Sequence, residues 1–192
     1  MNLAVSKAGE KLPWGKSMET LAEKGYMGDS LLLNVQRITS CASFARMSGV
    51  QLPVMTTTGS GNQGITLILT VAATAMELGV PEEKMLRAIA FAQAINLYAK
   101  HYLGTLSCLC SCSVASGLSA SAGIVYMMGG SDQQVLDTMR NVLGSISGMI
   151  CDGAKEGCAS KVCLSTGLSV MSAMMALNGM NTKAADGILA DN

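Results

Sequence analysis

Residues 106–130 read LSCLCSCSVASGLSASAGIVYMMGG, a stretch built almost entirely from small and apolar residues. The stretch has no charge and ends at Gly129-Gly130, which predicts an apolar helix from Leu106 to Met128. Small side chains allow neighbouring helices to approach closely. The stretch therefore favours a core of tightly packed helices over a β-sheet.

The remaining sequence extends this prediction to one compact all-α domain over residues 1–192. Hydrophobic residues make up 49% of the chain, but aromatic residues only 4%, so a sheet rich in aromatic residues is disfavoured. Ser131 and Gln134 form a capping-box pattern, and Asp29-Ser30 can cap an earlier helix. Glycines, prolines and caps predict further helices over residues 31–47, 65–78, 81–103, 132–147 and 162–177. In the helix over 81–103, the spacing of Leu86, Ile89, Ala90 and Leu97 predicts a buried face.

Composition also bears on the protein's partners and compartment. The formal net charge is zero, which argues against a nucleic-acid binder. Two long segments, 47–76 and 102–131, carry no charge, yet both are crowded with Ser, Thr and Gly and lack basic flanking loops. Buried helices are therefore favoured over membrane spans. The N-terminal residues do not resemble a signal peptide, and seven cysteines then indicate a reducing compartment, the cytoplasm.

Residues 56–65, TTTGSGNQGI, contain a G-x-G-x-x-G pattern that is typical of dinucleotide sites. The strands that such a site requires are missing, so a nucleotide site is disfavoured. A glycine-rich segment that leads into a helix also presents backbone N–H groups to an anion, such as a substrate carboxylate. The alternative is a simple capped turn. The polar side chains of Thr57, Thr58, Ser60, Asn62 and Gln63 would help to orient an amino acid.

The cysteines form two groups, C-x-C-x-C at residues 108–112 and CDGAKEGC at residues 151–158. On a continuous helix, Cys108 and Cys112 share a face and Cys110 points away, so the three cannot bind one metal unless the backbone unwinds. Cys151 and Cys158 lie on a flexible segment that can approach the first group. Three thiolates would leave one iron of a four-iron cluster open. Spacing alone favours the alternative that these cysteines are small apolar core residues, as we expect for Cys41 and Cys163.

Few titratable residues accompany the cysteines. Lys155, Lys161 and Asp152 lie beside Cys151 and Cys158, where they can bind a carboxylate or move protons. The alternative for each is a solvated surface position. His101, the only histidine, suits proton transfer by its ordinary pKa, although a lone histidine is more often structural. Lys155, Lys161 and His101 are therefore the candidate catalytic residues.

Three segments of the chain resemble the serine dehydratase α-chain-like family. They are LPVMTTTGSGNQGI (52–65), residues 106–130, and ISGMICDGAKEGCASK (146–161). The branch that they resemble most is that of the L-cysteine desulfidase-like proteins. The similarity extends from about Arg46 to Val162. It implies an all-helical fold that binds an oxygen-sensitive [4Fe–4S] cluster through three cysteines. It also implies a lyase that converts L-serine or L-cysteine to pyruvate and ammonia, with sulfide released from cysteine.

The resemblance also implies roles for individual residues. The ligands that match the family pattern are Cys151, Cys158 and Cys110, with Cys112 as the alternative to Cys110. In the pattern L-S-x-x-C-G-C, Ser111 replaces a glycine and Cys108 is an additional thiol. Phe44 occupies a position where the family pattern implies an acidic residue. The substrate-binding segment comprises Thr58, Gly59, Ser60, Gly61, Asn62 and Gln63.

Members of this family are longer and carry an N-terminal part with further substrate-binding and catalytic residues. This chain matches the C-terminal portion of the pattern. The alternatives are a truncated gene product, an expressed fragment, and one chain of a split enzyme whose partner chain supplies the N-terminal part. A homo-oligomer is also expected from the apolar composition. The alternative function, from a different class, is a non-catalytic iron–sulfur or metal-binding subunit.

Overall fold

The computed structural model describes residues 1–190, which form eight α-helices and contain no β-strand. Two isolated β-bridges, Thr57 with Ser60 and Leu109 with Ile150, are the only extended pairings in this range. The prediction of an all-α fold is confirmed. The helices are α1 (Asn2–Glu10), α2 (Pro13–Glu23), α3 (Leu31–Met47), α4 (Gly61–Glu77), α5 (Glu82–Leu103), α6 (Val114–Met127), α7 (Asp132–Ile146) and α8 (Cys158–Leu177).

Helices α4 and α6 form the centre of the bundle. Every residue of α6 except Tyr126 is buried, and so is every residue of α4 from Gly61 to Ala75 except Ile68. Helix α6 packs against α4, α5, α7 and α8, while α3 packs against α1, α4 and α8. The N-terminal ends of α4, α6 and α8 follow the polar and cysteine-containing segments, so this packing places the site.

Small residues set the distance between α6 and two of its neighbours. A Cβ atom at Gly123 would lie 2.9 Å from the Cβ of Ala92 on α5, and one at Gly117 would lie 2.2 Å from Oγ of Ser165 on α8. Carbon atoms in contact are normally about 3.5–4.0 Å apart. No larger side chain therefore fits at Gly117 or Gly123 unless the helices separate.

Threonine hydroxyl groups connect three of the helices within the core. Oγ1 of Thr166 on α8 lies 3.1 Å from Oγ1 of Thr39 on α3 and 3.3 Å from Oγ1 of Thr70 on α4. All three residues are fully buried. A buried hydroxyl without a partner is costly, by about 1–3 kcal/mol. These hydrogen bonds therefore favour one register of α3, α4 and α8.

The predicted caps are present. Oγ of Ser30 accepts a hydrogen bond from the Leu33 N–H, and Ser131 and Gln134 form a reciprocal capping box. Helices α1 and α2 lie before the first predicted helix. Their charged residues interrupt the apolar pattern, but Val5 is buried in a cluster with Ala42 and Ala45 of α3, so tertiary packing holds this segment in place.

Three helix starts differ from the prediction. Helix α4 begins at Gly61 rather than 65, because Ser60 caps it ahead of the glycines. Helix α8 begins at Cys158 rather than 162. Helix α6 begins only at Val114 rather than Leu106, because residues 106–113 leave the helix and Leu109 pairs with Ile150.

The predicted buried face of α5 is wrong. Leu86 and Leu97 are 53% and 66% exposed, and Ala90 is also exposed. The buried positions are instead Ala88, Ala92, Asn96 and Lys100. The physical reason is the close approach to α6 at Gly123, where the facing positions on α5 must be small. Small residues therefore occupy the position nearest Gly123, while Ile89, the one predicted position that is partly buried, packs against the core beside them.

Helix α8 is the only described helix that is long and apolar enough to cross a membrane, by length and composition alone. Half of its most apolar window is buried within the protein, where α8 packs against α3, α6 and α7. The core helix of a folded bundle passes the same test, so α8 is weak evidence for a membrane span.

We predict that Gly123→Val destabilises the fold by about 1–3 kcal/mol, because the added atoms must push α5 and α6 apart. Urea unfolding monitored by circular dichroism measures the effect. The control is Gly28→Val, since nothing lies within 4 Å of a Cβ at Gly28. Equal stability of the two variants would contradict the close approach of α5 and α6.

A thiol-lined cavity as the candidate active site

The two cysteine groups meet through a short backbone pairing. The Cys110 N–H donates to the Met149 carbonyl oxygen at 2.8 Å, and the Cys151 N–H donates to the Cys108 carbonyl oxygen at 2.8 Å. These bonds flank the bridge between Leu109 and Ile150. The pairing brings Cys110 and Cys151 to the same part of the molecule, although 40 residues separate them in the sequence.

The paired segments border a cavity of about 470 Å³. Four cysteines line it, namely Cys110, Cys112, Cys151 and Cys158, together with Arg46 from α3 and Lys161 from α8. All six predicted substrate-binding residues line the same cavity: Thr58, Gly59, Ser60, Gly61, Asn62 and Gln63. The structure thus places the predicted metal ligands and the predicted substrate-binding segment around one space.

Cys110 and Cys112 have opposite electrostatic environments. A hydrogen bond from the Cys112 thiol lowers the pKa of Cys110; burial opposes this shift, and Ser113, whose Oγ lies 3.6 Å from the Cys110 sulfur, supports it. The same hydrogen bond to Cys110 raises the pKa of Cys112, and burial adds to the increase. The pKa values of the two thiols are therefore shifted in opposite directions, and a lowered pKa favours the deprotonated form that binds metal.

The predicted ligands Cys110, Cys151 and Cys158 share the cavity, and Cys112 lies there as well. In the part of the chain that is described, no three His, Cys, Asp or Glu side chains are already close enough to hold a metal ion. The four thiols thus line one cavity, but no three of them are close enough in this structure to bind a single metal ion. The donor set, sulfur without imidazole or paired carboxylates, suits an iron–sulfur cluster rather than a hard cation.

The predicted substrate-binding segment forms a tight turn that leads into α4. Thr57 and Ser60 exchange backbone hydrogen bonds, and the two residues between them have positive φ angles, 49° at Thr58 and 79° at Gly59. A β-branched residue rarely adopts such a φ, and backbone strain of this kind often accompanies functional sites. Ser60 then caps α4 by accepting a hydrogen bond from the Gln63 N–H, and the first helical residues, Gly61 to Gln63, line the cavity.

One carboxylate engages Lys155 of the CDGAKEGC segment and Lys161 of α8. Asp152 forms ion pairs with both Lys155 and Lys161, and these lysines lower the pKa of its carboxyl group. The pairing raises the pKa of Lys161, whose ammonium also donates to the Ile150 carbonyl oxygen at 3.0 Å. Lys161 lines the cavity as a held cation, whereas Lys155 is not among the lining residues.

The third predicted catalytic residue, His101, lies elsewhere. It is exposed near the end of α5, where its ring stands edge-on to Tyr102 and lines a separate depression. Its neighbour Lys100 is only 8% exposed, and the Lys100 ammonium donates to the Thr105 carbonyl oxygen and to Oγ of Ser111. Lys100 thus fixes the segment that carries the first cysteine group.

Sequence reasoning did not single out Arg46 or Lys100. Arg46 is part of the string CASFARM, and nothing in its spacing distinguishes it from a surface residue. Its position became apparent only once α3 and the turn before α4 were placed together. Cys41, by contrast, is buried as expected, and burial raises its pKa to about 12.

Comparison with known proteins gives the family context. A family model described as serine dehydratase alpha chain matches residues 2–192. UPF0597 proteins from Alkaliphilus metalliredigens and Alkaliphilus oremlandii are 44% and 41% identical to this chain over 88% and 92% of its length. These matches cover 38% and 41% of the relatives, so the chain spans about two fifths of their length. No solved structure matches the chain.

We predict that iodoacetamide modifies Cys108 and Cys151 of the reduced, metal-free protein first and Cys41 last. Cys108 and Cys151 are exposed, while Cys41 is fully buried and has a strongly raised pKa. Peptide mass spectrometry over time measures the order of modification. Denaturing urea serves as the control and should abolish the order; early modification of Cys41 in the folded protein would contradict the structure.

Proposed function

The chain belongs to the serine dehydratase alpha chain family, as its three motifs predict, and on that premise we propose that it is the helical part of a lyase. The lyase eliminates the β-substituent of L-serine or L-cysteine, and the enamine so formed tautomerises and hydrolyses to pyruvate and ammonia. With L-cysteine, the eliminated group leaves as sulfide. One observation carries the proposal: four cysteines and the glycine-rich turn before α4 line the same cavity.

The proposed cofactor is a [4Fe–4S] cluster held by Cys110, Cys151 and Cys158. Cys112 is the alternative to Cys110; the lowered pKa of Cys110 and the raised pKa of Cys112 favour Cys110. When bound through three thiolates, such a cluster supplies an open iron that acts as a Lewis acid towards a departing hydroxyl or thiol. Cys108 is exposed and does not line the cavity, so it is not assigned as a ligand.

The turn and first residues of α4 are the proposed substrate-binding segment. The residues from Thr58 to Gln63 offer backbone N–H groups, two hydroxyl groups and two side-chain amides to an amino acid. Oγ1 of Thr58 lies 3.3 Å from Oε1 of Gln63, which holds the turn against the helix. This set of neutral hydrogen-bonding groups suits a small zwitterion, because it adds no fixed charge that would repel either end.

Among the three predicted catalytic residues, Lys161 is best placed for proton transfer within the cavity. Its ion pair with Asp152 keeps it protonated, so we assign it to charge stabilisation or to protonation of the leaving group rather than to removal of the α-proton. Lys155 and His101 lie outside the cavity lining. The base that removes the α-proton is therefore assigned to the part of the family length that this chain does not span.

That assignment implies that activity requires the remaining three fifths of the relatives' length, whether in the same polypeptide or in a separate one. The cluster also implies a reducing compartment, and we propose the cytoplasm. The remaining part would approach where the cavity opens, since the base that it supplies must reach the α-carbon of substrate bound in the cavity.

We predict that the chain, reconstituted anaerobically and mixed with the unmatched part of the Alkaliphilus oremlandii relative, converts L-serine or L-cysteine to pyruvate and ammonia. Cys151→Ser and Cys158→Ser should each lower the rate by roughly a thousandfold, because Lewis-acid stabilisation is worth several kcal/mol. Coupled lactate dehydrogenase and ammonia assays measure the products.

The matched control is Cys163→Ser, a change to a half-buried thiol on α8 that does not line the cavity. This variant should retain the wild-type rate. A complex that contains iron and sulfide but forms no pyruvate from either amino acid would favour the alternative function, a non-catalytic iron–sulfur subunit.

A further inference from the structure

The guanidinium of Arg46 lies against the first residue of α4. A Cβ atom at Gly61 would be 2.4 Å from Nε of Arg46 and 2.7 Å from its Cζ, so the absence of a side chain at Gly61 makes room for this group. Nη1 of Arg46 lies 3.3 Å from Oδ1 of Asn62, which it contacts as a donor. Arg46, Gly61 and Asn62 all line the cavity.

Arg46 differs from Lys161, the other cation that lines the cavity, in having no acidic partner. Within residues 1–190, no carboxylate lies within 4 Å of its guanidinium, while Lys161 is paired with Asp152. Arg46 is only partly exposed, so water does not fully solvate its charge. A partly buried guanidinium without a counterion favours an anionic ligand, and its planar fork matches a carboxylate.

The amides beside Arg46 provide a second, independent observation. Asn62 and Gln63 are each only 4% exposed, yet both line the cavity. In the described range, the side-chain oxygens of both residues accept hydrogen bonds, but neither amide nitrogen donates one. Neither nitrogen is among the fully enclosed side-chain atoms that lack a partner, so both remain accessible from the cavity, where they can donate to a ligand.

We propose that Arg46 binds the α-carboxylate of the amino-acid substrate, together with the amide nitrogens of Asn62 and Gln63 and the N-terminal N–H groups of α4. The inference rests on the proposed function. It adds that Arg46, Asn62 and Gln63 recognise the carboxylate end of the substrate. The positive end of the helix dipole adds to the attraction for the carboxylate. Ligands that lack a free carboxylate lose this interaction.

The test compares L-serine with L-serinamide, in which a neutral amide replaces the carboxylate, by calorimetric titration of the full chain under anaerobic conditions. Arg46→Gln should weaken L-serine binding by roughly tenfold to a hundredfold, the range for hydrogen bonds to charged groups, and leave L-serinamide binding unchanged. Arg46→Lys, which keeps the charge but loses the fork, should lie between wild type and Arg46→Gln. The matched control is Arg87→Gln, which removes an exposed arginine paired with Glu83 on α5.

A second variant keeps the test valid if Arg46→Gln does not fold. Gly61→Ala keeps the arginine and suits a helix, but its Cβ would displace the guanidinium, so it should also weaken L-serine binding selectively. Equal affinity of wild type, Arg46→Gln and Gly61→Ala for L-serine would overturn the role of Arg46 and leave the proposed lyase standing. Failure of the folded wild-type chain to bind either L-serine or L-cysteine would count against both.

Discussion

The contact between α6 and α8 is the constraint on which the site depends. Oγ of Ser165 donates to the Ser113 carbonyl oxygen at 2.6 Å, and the absence of a side chain at Gly117 lets the two helices approach closely enough for that bond. Ser113 follows Cys112 directly, and Ser165 lies two turns beyond Cys158 at the start of α8. The contact thus holds the two cysteine groups at a fixed separation, while the pairing of Leu109 with Ile150 closes the cavity edge.

Charge is distributed unevenly around the cavity. On the side of the cysteine segment, Asp152 forms an ion pair with Lys161, and the hydrogen bond with Cys112 lowers the pKa of Cys110. On the side of α4, Arg46 has no acidic partner in the described part of the chain. This division suits an amino acid whose carboxylate would contact Arg46 on one side, while its β-substituent would face the cysteines and Lys161 on the other. Neutral, buried helices surround both sides, so few other charges compete.

Much of the fold could be predicted from the sequence, because caps and glycines act locally. Ser30 and Ser131 cap helices as their patterns indicate. The inward face of α5 could not be predicted, since the close approach at Gly123 selects small residues over leucines. The unwound segment at 106–113 depends on pairing with residues 149–151, which a local pattern does not show. The cysteines of the site were identified through family resemblance, whereas Arg46 required the assembled cavity.

The most direct test of the account is the iron and acid-labile sulfide content of the anaerobically reconstituted chain and its cysteine variants. We expect about four irons and four sulfides per wild-type chain. Both should be lost when Cys110, Cys151 or Cys158 is changed to serine, and both should be retained when Cys41 or Cys163 is changed. Wild-type iron and sulfide content in folded Cys151→Ser and Cys158→Ser variants would contradict the claim that this cavity holds the cluster.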